Sequence, residues 1–171
     1  MEEEKTLLTQ VDSALYDATD KPFDFVEAEG ETALVCESDP AMREKIRAAL
    51  QALEYMTTEA ASAKDALKNM RFHTYDVVVL SEHFDTDNPD QNNVLQYLEG
   101  LPMGIRRDMF VALVSGRFRS MDNMAAFNKS VNLIINTKNI DDVGTILKRG
   151  ISENAAFYRV FKESMQKLGK R

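Results

Sequence analysis

The chain has 171 residues, of which 44% are hydrophobic and 29% are charged. This composition is ordinary for a soluble globular protein and supplies enough apolar material for the core of one domain. The formal net charge of −7 argues against nucleic acid or an anionic membrane as the main partner. We therefore expect a protein that binds neither nucleic acid nor membranes.

The single cysteine, Cys36, excludes an internal disulfide and a paired-cysteine metal site. It lies in an apolar run, which predicts a buried and inert thiol. The acidic N-terminal residues lack the basic and apolar regions of a signal peptide. No apolar run approaches the roughly 20 residues that a membrane helix needs. These features predict a cytoplasmic protein.

Residues 1–31 are predicted to form an N-terminal arm. Apolar residues within 1–21 recur at helical spacing, which indicates a short amphipathic helix. Residues 22–27 alternate like a strand, and residues 28–31 have the composition of a turn. Where the strand at 22–27 would pair stays open at this stage.

Residues 32–149 repeat a pattern of apolar strand followed by amphipathic helix. Asp39 and Pro40 supply an N-cap and a first-turn proline for the first helix of this region. The pattern predicts a doubly wound α/β domain of three layers, in which a parallel sheet lies between helices. Binding sites in such sheets lie at the carboxyl ends of the strands. The predicted strands are 32–37, 55–59, 75–80, 109–115 and 131–135.

Residues 150–171 are predicted to form a C-terminal helical extension. A heptad pattern with polar Asn154 in its seam is typical of a dimeric coiled coil. Phe157 and Val160 widen the apolar face, which instead favours packing on the chain's own domain. Both interpretations stay open, as does whether Gly150 ends one helix before Ser152 begins another. The residues of this possible dimer helix are Leu147, Ile151, Asn154, Tyr158, Phe161, Met165 and Leu168.

The residues that follow the strands resemble, in order and in type, those of a known family. Glu37-Ser38-Asp39-Pro40 follows the first strand, Ser81 the third, Ser115-Gly116 the fourth and Thr137-Lys138-Asn139 the fifth. On a (βα)5 frame this set resembles the receiver domains of bacterial response regulators, the CheY-like domains of two-component systems. The resemblance covers about residues 32–149 and implies the strand order 2-1-3-4-5.

The resemblance also implies which chemistry this chain has lost. In the family, an aspartate after the third strand accepts a phosphoryl group and, with two acids after the first strand, holds Mg²⁺. A lysine and a hydroxyl residue contact the phosphoryl group. A serine offers neither a carboxylate nucleophile nor an anionic metal ligand. We therefore expect a degenerate phosphorylation pocket without catalysis, metal or cofactor, formed by Glu37, Ser38, Asp39, Ser81, Ser115 and Lys138.

Two further departures accompany Ser81. Ile135 stands where the family has an aromatic switch residue, and Asn139 stands where it has a proline. With the acceptor gone, we expect Lys138 to form a structural ion pair with Glu37. Together these features predict a pseudo-receiver that binds a protein partner in trans without phosphorylation.

The partner-binding surface is predicted from the side of the fold that many receivers use for partners, the fourth helix, fifth strand and fifth helix. Exposed methionine and aromatic side chains among arginines suit a protein interface. The predicted surface comprises Arg117, Phe118, Arg119, Met121, Met124 and Lys148.

Two alternative functions stay open. The first is a working phosphorelay receiver whose acceptor has moved to Glu82 or Asp85, although strand alternation should direct Glu82 away from the side of Ser81. The second is a small-ligand sensor on the same fold, which no glycine-rich phosphate loop supports.

Overall fold

A computed structural model describes residues 30–169, and the structural statements below concern that part of the chain. The predicted amphipathic helix within residues 1–21 and the predicted strand at 22–27 lie outside the described residues.

The centre of the fold is a parallel five-stranded sheet in the order β2-β1-β3-β4-β5. Every residue of β1, β3 and β4 is buried, as expected for strands covered by helices on both faces. This arrangement confirms the predicted fold class and strand order. The strands are β1 (Thr32–Cys36), β2 (Met56–Glu59), β3 (Val77–Ser81), β4 (Phe110–Ser115) and β5 (Leu133–Asn136).

Side-chain caps open the first two helices, and the first of them, Asp39, is the one that the sequence indicates. Asp39 Oδ1 accepts hydrogen bonds from the backbone N–H groups of Ala41 and Met42, and Ser62 Oγ accepts one from Asp65. These bonds satisfy donors that have no partner inside the helix. The helices are α1 (Pro40–Ala52), α2 (Ala63–Phe72), α3 (Asn93–Glu99), α4 (Met103–Arg106), α5 (Asn123–Asn128) and α6 (Val143–Lys167).

Two apolar cores lie on opposite faces of the sheet. Alternate strand residues such as Leu34 and Val78 face α2 and α3, whereas Val35 and Val79 face α1 and α6. Cys36 belongs to the first core and is fully buried, and this burial raises the pKa of its thiol far above the ordinary value. The thiol is therefore buried and unreactive, as the sequence predicts.

The last helix, α6, runs without interruption through Gly150. A side chain at this position would place its Cβ 3.0 Å from Leu133 Cδ2 and 3.0 Å from Phe110 Cζ. The glycine therefore allows α6 to cross β4 and β5 closely. The proposed division between residues 149 and 150 falls within this one helix.

The first part of the predicted heptad seam of α6 packs against the chain's own domain. Leu147 is fully buried, and Ile151 packs against the core beneath α6. Asn154 Oδ1 accepts a hydrogen bond of 3.2 Å from Asn132 Nδ2. Further along, the guanidinium of Arg107 lies 4.6 Å from the centre of the Phe161 ring. Leu147, Ile151 and Asn154 thus pack within the domain, as the intramolecular interpretation predicts. Leu168 at the end of the seam is 69% exposed, and dimerisation through the seam stays a prediction.

Within residues 30–169, no helix combines the length and the apolar character needed to cross a membrane.

Candidate functional site

Polar side chains meet at the carboxyl edge of the sheet. Ser81 is the last residue of β3 and pairs with Val114, and Ser115 is the last residue of β4 and pairs with Asn136. Because parallel strands end at the same edge, the register brings three of the predicted strand ends side by side. Glu37 follows the neighbouring strand β1 directly.

A buried hydrogen bond joins Ser115 to Glu82, a residue that the sequence interpretation directed away from the pocket. The Ser115 hydroxyl donates to Glu82 Oε1 at 2.7 Å, and both residues are only 1% exposed. Glu82 N–H donates to Val114 O at 3.0 Å and so extends the pairing beyond β3. Ser81 lies beside Val114, so Glu82 lies on the same face as Ser115. Strand alternation does direct Glu82 away from the side of Ser81, but the Ser115 hydroxyl lies on the same side as Glu82.

Arg117 closes this buried pair off from solvent. Its Nη2 lies 2.9 Å from Glu82 Oε2 and 3.4 Å from Asp90 Oδ1. Its guanidinium also lies 5.1 Å from the centre of the Phe118 ring. The hydrogen bond to Glu82 raises the pKa of Arg117. Arg117 is therefore committed to contacts within the domain, although the sequence places it on the partner-binding surface.

Asp90 connects this arginine to a second cation. Lys129 Nζ lies 3.4 Å from Asp90 Oδ1. The positive charge of Arg117, followed by the hydrogen bond from Lys129, holds the pKa of Asp90 below its ordinary value. Asp90 therefore stays ionised and ties the loop after β3 to the loop after β4 and to the end of α5.

Asn92 holds the backbone of the loop after β3 in place. Its Nδ2 donates to Ser81 O and to Glu82 O, each at 3.1 Å, and its Oδ1 accepts from Leu95 N–H at 3.0 Å. One buried amide thus positions the site residues and caps α3 at once. Sequence reasoning missed Asn92, although an asparagine just before the apolar stripe of α3 is a recognisable N-cap signal.

The acidic residues after β1 take on different roles. Glu37 is 3% exposed, its Oε1 accepts from Asp39 N–H at 3.0 Å, and its Oε2 has no hydrogen-bond partner among the described residues. Asp39 uses Oδ1 to cap α1. Ser38 is exposed and lies between them.

Lys138 does not form the expected ion pair with Glu37. Its side chain is exposed, and its backbone N–H donates to Asn136 Oδ1 at 2.9 Å in a short turn after β5. Within residues 30–169, no ion pair joins Lys138 to a carboxylate. The six residues of the predicted degenerate pocket therefore share one edge of the sheet without forming one bonded cluster.

The donor set at this edge does not fit the Mg²⁺ that receiver domains hold. Mg²⁺ requires near-octahedral oxygen ligation with carboxylate support. Here Glu37 has one uncommitted carboxylate oxygen, Asp39 caps a helix, and Ser81 and Ser38 are neutral. No cluster of three or more His, Cys, Asp or Glu side chains that could hold a metal occurs in the described part of the chain.

The predicted partner-binding surface divides into exposed and packed residues. Phe118 packs against the core beneath α2 and α3, and Met121 packs against the opposite core. Both are only partly accessible, since they also serve the interior. The exposed members are Arg119, Met124 and Lys148, together with the outer part of Arg117.

The structure adds Phe127 to the exposed apolar residues of α5. Phe127 is 79% exposed and Met124 is 69% exposed. The helix has only six residues, Asn123–Asn128, so it buries one short face, centred on Ala126.

The order of the strands and the position of the site define the receiver type of doubly wound α/β fold. Solved structures agree with this assignment. A CheY-like receiver domain protein from Methanospirillum hungatei is 20% identical, has a TM-score of 0.55, and matches 74% of this chain and 97% of its own. The receiver domain of a histidine kinase from Syntrophus aciditrophicus is 16% identical, has a TM-score of 0.56, and matches 72% and 92%.

A third similar structure is the receiver domain of a sensor histidine kinase from Pseudomonas aeruginosa, solved with a magnesium ion in its active-site cleft. It is 16% identical, has a TM-score of 0.55, and matches 72% of this chain and 98% of its own. No family model and no curated protein matches the sequence. At these identities the likeness establishes the fold.

Proposed function

We propose that this chain is a pseudo-receiver, a protein-binding module of two-component signal transduction that works without aspartyl phosphorylation. The observation that carries the proposal is the 2.7 Å hydrogen bond from the Ser115 hydroxyl to Glu82. In receivers, the hydroxyl at this strand end contacts the phosphoryl group. In this chain, the Ser115 hydroxyl already donates its hydrogen bond to a carboxylate of the protein itself, that of Glu82.

The geometry also favours a protein-binding role over the alternative in which Glu82 or Asp85 accepts a phosphoryl group. Both oxygens of Glu82 accept hydrogen bonds from Arg117, and the carboxylate is almost fully buried. Asp85 Oδ2 accepts a hydrogen bond of 2.9 Å from Ala63 N–H at the start of α2. A carboxylate held in this way is a poor nucleophile, because attack on a phosphoryl donor would require it to release these donors.

We expect the chain to be indifferent to phosphoryl analogues. Titration with beryllofluoride and Mg²⁺, followed by ¹⁵N NMR, should leave the amides of Ser115 and Lys138 unshifted, because Ser81 offers no carboxylate to bind the analogue. A receiver domain that retains all of its acidic residues serves as the positive control. Saturable shifts confined to the strand ends would contradict the proposal and favour the displaced-acceptor alternative.

The binding half of the proposal rests on the exposed apolar side chains of α5, Met124 and Phe127. The full chain should capture a protein from the cell that expresses it, and the variant M124E/F127E should lose that protein. Lys64→Glu, which alters an exposed residue of α2 outside this surface, is the matched control and should retain it. Equal capture by both variants would reject this surface.

A further inference from the structure

A second stripe of side chains runs along α6 on a side that the domain leaves uncovered. Its members follow one another at intervals of four, three, four and three residues, which is the heptad spacing of a coiled-coil seam. Phe157 is 77% exposed and Val160 is 67% exposed. All five members are exposed, namely Glu153, Phe157, Val160, Ser164 and Lys167.

This stripe is distinct from the heptad seam predicted from the sequence. At about 100° per residue, Glu153, Phe157 and Val160 lie on a different side of the helix from Leu147 and Ile151. The latter residues pack against the sheet and α1. One helix therefore carries two seams, one satisfied by its own domain and one facing solvent.

The exposed stripe is complementary to itself when two copies run antiparallel. Glu153 and Lys167 each lie seven residues from Val160, so a two-fold axis at Val160 sets Glu153 against Lys167 of the partner subunit. The same axis leaves Phe157 and the partner subunit's Ser164 one residue's rise apart, about 1.5 Å, so that a large side chain lies near a small one. An acid thus meets a base at both ends of a contact about 21 Å long.

A parallel pair would not have this complementarity. It would set Glu153 against the partner's Glu153 and Lys167 against the partner's Lys167, so that like charges face one another. Two-fold symmetric dimers are the commonest closed assemblies, and their contacts must be self-complementary in this way. We propose that the stripe Glu153–Lys167 of α6 binds a second copy of this chain in an antiparallel helix pair.

Neighbouring residues are compatible with this contact. Arg149 Nε lies 3.0 Å from Glu153 Oε1, while the Glu153 side chain stays 61% exposed and can accept from a second cation. Leu168 is exposed and Phe161 is partly exposed at the edge of the stripe, and they add apolar area there.

Sedimentation velocity of the full chain over a range of concentrations tests the proposal. We expect a reversible monomer–dimer equilibrium. Glu153→Lys and Lys167→Glu should each raise the dimer dissociation constant about fivefold, since each sets like charges against one another at both ends. The double variant E153K/K167E should return it to within about twofold of the original, because the pairs form again with their signs exchanged.

Two further variants separate this contact from general effects of charge. Arg159→Glu makes the same change of charge as Lys167→Glu on another side of the helix, and should leave the dissociation constant unchanged. Val160→Glu sets two carboxylates against one another at the two-fold axis, and should abolish the dimer. Circular dichroism of each variant shows that a lost dimer reflects lost contact and not unfolding.

A chain that stays monomeric at all concentrations would overturn the inference. So would a dimer that is unaffected by the single charge changes, which is the result expected of a parallel pair or of another surface. A double variant as weak as the single ones would also overturn it. These outcomes are independent of the phosphoryl-analogue experiment, since the stripe lies on α6 and not at the strand ends.

Discussion

Replacing Asn92 by leucine is expected to lower the free energy of unfolding by about 3 kcal/mol, because it leaves three buried backbone groups without their partner. Those groups are Ser81 O, Glu82 O and Leu95 N–H. Leucine has a similar volume, so the loss would reflect hydrogen bonds and not a cavity. Urea unfolding followed by circular dichroism measures the difference.

Asn93→Ala provides the matched control for Asn92. Asn93 is the next residue along, and its Oδ1 is buried without a hydrogen-bond partner among the described residues. Its replacement removes a polar atom that forms no bond and introduces a better helix former. We therefore expect this variant to keep or slightly raise the stability. Equal losses for Asn92→Leu and Asn93→Ala would show that Asn92 does not organise the loop.

Asn92→Asp separates the two roles of the amide. The aspartate can still accept from Leu95 N–H and so cap α3. Its second oxygen, however, would face two carbonyl oxygens to which Asn92 Nδ2 now donates. We expect a loss of about 2 kcal/mol, which would show that donation to the loop after β3 matters more than the cap.

Replacing Gly150 by valine is expected to cost about 3 kcal/mol of stability through overpacking. Even a single Cβ at this position would lie 3.0 Å from Leu133 Cδ2 and from Phe110 Cζ, both on buried residues. The two methyl groups of valine reach further, so α6 must move away from β4 and β5. Thermal or urea unfolding would detect the loss.

Gly104→Val is the control for Gly150→Val, because a side chain at Gly104 would meet nothing within 4 Å. We expect a change of no more than about 0.5 kcal/mol at that exposed position. Gly150→Ala should fall between the two, since a gain of about 1 kcal/mol in helix propensity opposes the close contact. A stable Gly150→Val variant would mean that α6 is not held closely against the sheet.

Much of the fold was predictable from local patterns. Apolar runs such as 75–80 and 109–115 identified buried strands, and Asp39-Pro40 identified the start of α1. The bounds were less accurate where side chains bond to neighbouring strands. Strand β5 begins at Leu133 and not at residue 131, since Asn132 Oδ1 instead accepts from Val111 N–H and from Arg106. The order of the strands came from the family resemblance, because the period of a pattern does not determine which strands are neighbours.

At the candidate site, the sequence reveals the types of residue and only the structure reveals their contacts. The residue types at the strand ends, including Ser81 in place of a carboxylate, were evident from the sequence. The contact between Glu82 and Ser115 was not, because it depends on the register of β3 against β4. The sequence also could not predict that Lys138 is exposed and unpaired with Glu37, because an ion pair requires two side chains to reach one another in space.

The sequence by itself determined the strand–helix alternation, the cap of α1 at Asp39, the buried thiol of Cys36 and the absence of a carboxylate at residue 81. Each follows from a residue's own chemistry or from its spacing to near neighbours along the chain. Only the tertiary structure decided that the Ser115 hydroxyl donates to Glu82. It also decided which side of α6 packs on the domain and which side faces solvent. The reason is physical. These contacts join residues far apart in sequence, and which side chains meet depends on strand register and helix rotation, which only the packed fold defines.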